Sequence, residues 1–216
     1  MNFNKIDIDN WNRKEIFNHY LNQQTTFSLT TEIDISVLYR DIKQKGYKFY
    51  PALIFLVTRV INSNTAFRTG YNSEGDLGYW DKLDPLYTIF DSESETFSGI
   101  WTTGKNDFKE FYDFYLSDVE KYKGSGKLFP KRPIPEYTFS ISILPWTPFT
   151  GFNLNINNNS NYLLPIITAG KYIKEGNSIY LPLSLQVHHS VCDGYHTGLF
   201  MSSIQEFADR SNEWLL

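Results

Sequence analysis

The sequence predicts an α+β fold, a two-layer α/β sandwich in which a mixed, mostly antiparallel sheet has helices packed on one side. Two observations lead there. Segments with apolar residues three and four apart stand beside short runs rich in Tyr, Phe, Ile and Thr, and the two kinds are mixed without the strict alternation of a parallel βαβ sheet. The 216 residues can also bury a substantial core, and nothing in their composition divides them, so residues 1–216 are read as one domain.

Asp9 or Asn10 can cap a first helix through Trp11, Ile16, Phe17 and Tyr20. Phe27 to Ile33 alternates as a strand, after which Asp34 caps a helix from Ile35 to Lys45 that Gly46 ends. Pro51 is well placed as the first residue of a buried helix running through Ile61 and stopping at Asn62 to Asn64. From Phe67 to Thr102 the short aromatic runs read as a strand meander, broken at 72–76, 84–85 and 91–95. Asn106 or Asp107 opens a helix carrying Phe108, Phe111, Tyr112, Tyr115, Val119 and Tyr122, closed by Gly124. After a Pro-rich connector come candidate strands Thr138–Leu144, Phe152–Ile156, Leu164–Tyr172 and Ser178–His189. Tyr195, Leu199, Ile204, Phe207 and Ala208 form the expected inner stripe of a last helix.

The net charge of −4, with 20 Lys and Arg scattered among 24 Asp and Glu, leaves no basic stripe for nucleic acid. Met1 to Glu15 is too polar for a secretory signal, and the longest apolar run, Ala52 to Val57, is too short for a bilayer. A cytoplasmic protein without membrane partners is therefore expected. The glycosylation pattern Asn158-Asn159-Ser160 is then a chance match. A single cysteine, Cys192, excludes internal disulfides and cysteine-based metal cages. The 17 Phe, 15 Tyr and 5 Trp supply bulk to a core, or line a ligand pocket, or both.

Residues 186–196 hold three of the four histidines. Alternation through Leu181, Leu183, Leu185 and Val187 places His189 on that apolar face at a strand end, and His188 on the other. Asp193-Gly194 then turns the chain into a helix. An imidazole partly desolvated there suits a general base. Other readings of the same residues are a purely structural histidine pair, a metal held by His189, Asp193 and His196, or an acyl-carrying Cys192. No known ligand spacing matches the metal reading, and a lone buried thiol is usual for Cys192.

His188-His189-Ser190-Val191-Cys192-Asp193-Gly194, with Gln186-Val187 before it and Tyr195-His196 after, resembles the active-site signature of chloramphenicol acetyltransferases. The shorter His-His-x-x-x-Asp-Gly is shared by the superfamily of CoA-dependent acyltransferases. Asn10 to Arg13, Tyr47 to Pro51, Glu95 to Ser98, Lys127 to Pro130, Leu144 to Trp146 and Phe152 to Asn155 are similar to the same family, in the same order. The resemblance covers essentially the whole chain.

The resemblance implies that His189 is the general base that deprotonates a hydroxyl of chloramphenicol for attack on acetyl-CoA, while Ser142 stabilises the oxyanion. Thr168 would act through a bound water, and Asp193 would pair with Arg13 to keep the turn in shape. Tyr20, Phe27, Phe97, Phe129, Phe152, Leu154 and Tyr172 match positions around the drug pocket. Also implied are a homotrimer with interfacial active sites, acetyl-CoA as a co-substrate held in a tunnel, and no tightly bound cofactor or metal. Thr26 matches a pocket position where family members are expected to differ. The alternatives are a non-catalytic binder of small aromatic ligands, or a CoA-dependent acyltransferase with another hydroxyl or amine acceptor.

Overall fold

The computed structural model describes residues 1–154 and 162–215. Its strands are β1 (Phe3–Lys5), β2 (Thr26–Asp34), β3 (Thr69–Tyr71), β4 (Leu77–Trp80), β5 (Asp84–Asp91), β6 (Thr96–Trp101), β7 (Thr138–Ile143), β8 (Ile166–Ala169), β9 (Ile173–Glu175) and β10 (Ser178–His188). Its α-helices are α1 (Lys14–Asn22), α2 (Ser36–Lys45), α3 (Phe49–Ser63), α4 (Phe108–Tyr122) and α5 (Gly194–Asp209). The main sheet runs β2-β10-β8-β7-β5-β6, with β9 also on β10. Only β7 is parallel to its neighbours, β5 and β8, and every other pair is antiparallel. The α+β expectation of a mixed, mostly antiparallel sheet with helices on one side is met. No described helix is long and apolar enough to cross a membrane.

Alternation gives the sheet two unlike faces. Leu181, Leu183, Leu185 and Val187 of β10 join Ile141, Ile167 and Ala169 in the core beneath the helices, each no more than 2% exposed. Burying each large aliphatic side chain contributes about 1.5–3 kcal/mol before the entropy of ordering is counted. The opposite face carries Ser184, Gln186 and His188, with Thr168, Ser142 and Ser140 at facing register positions on β8 and β7. This polar face lies away from the helices.

Several element boundaries differ from the sequence reading. The first helix starts at Lys14, because Asp7 instead caps a 3-10 turn, Ile8–Asn10, by accepting from Asp9 N. The expected meander divides: β3 and β4 pair with β1 in a separate three-stranded sheet, while β5 and β6 join the main one. The span Leu164–Tyr172 is broken after Ala169, where Gly170 passes close to the Phe149 ring and its N–H donates to Pro182 O. Residues 152–154 form no strand, and the rest of the expected strand Phe152–Ile156 lies outside the described residues, as does Asn158-Asn159-Ser160. In α5 the buried residues are Thr197, Phe200, Met201, Ile204 and Ala208, whereas Tyr195 is 72% and Leu199 41% exposed. The helix keeps Ile204 and Ala208 of the expected stripe inside but buries Phe200 and Met201 in place of Tyr195 and Leu199.

Candidate active site

β10 ends at His188, one residue before the expected end, and His189 N donates to Thr25 O at 2.8 Å. The His189 ring lies flat on Tyr20 of α1, centroids 3.7 Å apart and planes 3° from parallel, with Phe27 5.1 Å away. Phe27 pairs with Val187 across the strands, so His189 continues the apolar face as parity requires. The Tyr20 ring fixes the imidazole plane. His189 Nδ1 is buried with no hydrogen-bond partner among the described residues, an orphan that calls for a ligand, a water or a second chain.

His188 points elsewhere and is 5% exposed. Its Nδ1 accepts from the Ser190 amide at 3.2 Å and lies 2.7 Å from Ser190 Oγ. Burial, and then the charge of the neighbouring His189, lower its basicity. A nitrogen already accepting an N–H can take only a donor from the hydroxyl, so His188 is a neutral strut rather than a base.

The turn after His189 is braced from a distant part of the chain. Arg13 Nε donates to Ser190 O at 2.7 Å, Nη2 to His189 O at 3.2 Å, and Nη1 to Asp193 Oδ2 at 2.9 Å. Arg13 thus grips the main chain of His189 itself. Burial raises the Asp193 carboxyl, but the hydrogen bonds of Arg13 and His196 outweigh it and hold the group down at about 2. The Cys192 thiol is 1% exposed, burial pushes its pKa far up, and it donates to Ala66 O at 3.6 Å. Such a thiol is a poor nucleophile. Among the described residues no three His, Cys, Asp or Glu side chains converge as a metal site.

Ser142 and Thr168 face each other across the parallel β7–β8 pair, with Oγ and Oγ1 3.4 Å apart. Ser142 lies on the wall of a cavity of about 610 Å³ lined also by Thr88, Phe90, Phe97, Phe129, Trp146 and Leu154. Gly99 makes room for this wall: a Cβ there would lie 2.7 Å from the Phe129 ring. Two polar side chains of β10 hang the far edge, with Ser184 Oγ donating to Phe152 O and the Gln186 amide bonding both N and O of Leu154.

Phe97, Phe129, Leu154 and Ser142 therefore meet at one cavity, and Tyr20 and Phe27 meet at His189. Phe152 contributes its carbonyl and packs on Phe149, ring centroids 5.5 Å apart. Tyr172 sits instead by Tyr39 of α2 and Phe49 of α3. Thr26 is exposed at the His188 register position. Sequence reading gave no site role to Thr88, Gly99, Trp146, Ser184 and Gln186, although Trp146 and Gln186 fall in stretches that resemble the family, and Ser184 and Gln186 stand out as polar residues two apart in an otherwise aliphatic strand.

His189 does not line the cavity. Thr168 pairs with Ser184, and His189 lies five residues further along β10, about 16 Å at about 3.3 Å per residue. One chain presents the base and the Ser142–Thr168 pair at two separate places.

The chloramphenicol acetyltransferase family model matches residues 1–205. A chloramphenicol acetyltransferase of Staphylococcus aureus is 86% identical over 216 residues, covering 100% of both chains. One from Clostridium butyricum is 50% identical over 216 residues, covering 100% of this chain and 99% of its own. Among solved structures, a chloramphenicol acetyltransferase superposes with TM-score 0.84 at 25% identity, covering 96% of this chain and 100% of that one. The dihydrolipoamide acetyltransferase of Azotobacter vinelandii shares the fold, with TM-score 0.71 at 15% identity over 94% and 88% of the two chains.

Proposed function

The chain belongs to the chloramphenicol acetyltransferase family, and from that premise we propose how it moves the acetyl group of acetyl-CoA to a hydroxyl of chloramphenicol, the transfer that confers resistance. His189 takes the hydroxyl proton as the oxygen attacks the thioester carbonyl. The tetrahedral oxyanion receives a hydrogen bond from Ser142, with Thr168 acting beside it through a water. Collapse breaks the carbon–sulfur bond, and the departing CoA thiolate takes the proton back from His189. The products are the O-acetylated drug and free CoA thiol, with no acyl-enzyme. A base of this kind contributes about 10²- to 10⁴-fold, and one oxyanion donor about 2.7–4 kcal/mol.

The observation that carries this reading is Ser142 on the wall of an apolar cavity of about 610 Å³, with the Thr168 hydroxyl 3.4 Å behind it. The aromatic walls suit a drug with an aromatic ring. Phe97, Phe129 and Leu154 would contact it there, Tyr20 and Phe27 would do so beside the base, and Phe152 and Tyr172 complete the proposed set. Arg13 and Asp193 support the turn. The about 16 Å offset along β10 supports a site completed by a second copy, and we take the working unit to be a cytoplasmic homotrimer of single-domain chains. Acetyl-CoA is a co-substrate, and no tightly bound cofactor is invoked.

The test is release of free thiol from acetyl-CoA with and without chloramphenicol. Drug-dependent release is expected. Its absence from folded protein would leave the alternatives of a non-catalytic binder or another acceptor.

A further inference from the structure

We propose that His196 is a positioning residue for the transfer, holding the second oxygen of Asp193 so that Arg13 can grip the main chain of His189. The inference rests on the reading of His189 as the base. Asp193 Oδ2 is taken by Arg13 at 2.9 Å, while Oδ1 accepts from the Tyr195 amide at 3.1 Å and lies 2.9 Å from His196 Nδ1. The Asp193 amide N–H is aimed at the same Nδ1 at 3.3 Å, the return bond of a capping box. One nitrogen cannot donate to the carboxylate and accept from the amide together. The charged partner is nearer, so Nδ1 carries the proton and His196 is the donor.

The contacts then form a continuous chain. His196 orients the Asp193 carboxylate, Asp193 orients the Arg13 guanidinium, and Arg13 holds the carbonyls of His189 and Ser190. Without the His196 donor Oδ1 keeps only the Tyr195 amide, and the carboxylate is held less firmly for the fork of Arg13. His196 is otherwise the third residue of a helix capped by Asp193, where a merely structural role would be to return a hydrogen bond to the cap amide. The two roles favour different replacements, because Glu is the natural residue for the cap-returning role but repels the Asp193 carboxylate. Asn places an amide donor where Nδ1 now stands.

His196→Asn, His196→Leu and His196→Glu are compared by drug-dependent thiol release and by thermal unfolding. The expected kcat order is Asn above Leu above Glu. Asn keeps at least about half the wild-type value and Leu falls at least about fivefold, within the roughly hundredfold cost of a misplaced group. The KM of both substrates stays within about twofold. Thermal stability follows another order, with Glu no lower than Leu. Should the Leu variant not fold, Asn against Glu carries the test. Glu equal to or better than Asn in kcat, or all three within about twofold of wild type, overturns the proposal. A wild-type protein without drug-dependent release overturns the underlying reading as well, and an active wild type separates the two failures.

Discussion

Single side chains set two adjacent histidines apart, and the proposed transfer assigns the base to His189. His188 is spent on Ser190, while His189 keeps a stacked ring and an unpartnered nitrogen. His189→Ala is expected to lose at least about 10²-fold in kcat, whereas Cys192→Ala keeps most activity, because a thiol buried against Ala66 O has no part in direct transfer. Equal losses in the thiol-release assay would point to an acyl-cysteine. The Asp193 ion pair gives a second prediction. Its folded pKa of about 2 lies below the ordinary 3.8, so the pair stabilises the fold fully above pH 3.8 and is lost as pH falls through about 2. With the carboxylate 33% exposed, the contribution is on the order of 1–2 kcal/mol. Urea midpoints of wild type and Asp193→Asn should differ at neutral pH and converge only as pH falls below about 2. A gap that persists there would count against the pair.

At the scale of elements, the cavity wall depends on how closely the connector before β7 can approach β6. Gly99 N donates to Leu128 O at 2.6 Å and its missing side chain admits the Phe129 ring. Gly99→Ala adds one carbon at that contact and should raise the KM for chloramphenicol about tenfold or more, leaving that for acetyl-CoA nearly unchanged. Steady-state kinetics in each substrate checks this, and an equal rise in both would assign Gly99 to general stability. Gln186 does the corresponding work on the other edge by bonding both backbone groups of Leu154. Gln186→Leu removes both bonds and should weaken drug binding more than it lowers Tm.

For the whole molecule, the separation of His189 from Ser142 along the sheet predicts complementation. His189→Ala and Ser142→Ala chains, each nearly inactive alone, should recover about a quarter of the wild-type rate when unfolded and refolded together, since a random assembly places an intact base beside an intact serine in that share of interfaces. Separately refolded proteins, mixed afterwards, are the control. No recovery on co-refolding would put both groups in one chain's site and overturn the interfacial arrangement.

The amino-acid pattern determined the α+β class, the two faces of β10, the place of His189 on the apolar one and the cap at Asp107, because alternation, helical spacing and capping are properties of a few neighbouring residues, whereas the cap of α2 falls at Ile35 rather than Asp34. It also marked Ser142, Arg13 and Asp193, but through likeness to a family rather than through local pattern. What tertiary structure decided is everything set by register and by contacts between distant segments. Ser142 stands opposite Thr168 because two parallel strands 26 residues apart align there, and Arg13 meets Asp193 across 180 residues. The division of the meander into two sheets, the phase of α5, and the suspension of Leu154 from Gln186 belong to the same class. No local period encodes these meetings, since the free energy that selects one register comes from the packed core as a whole.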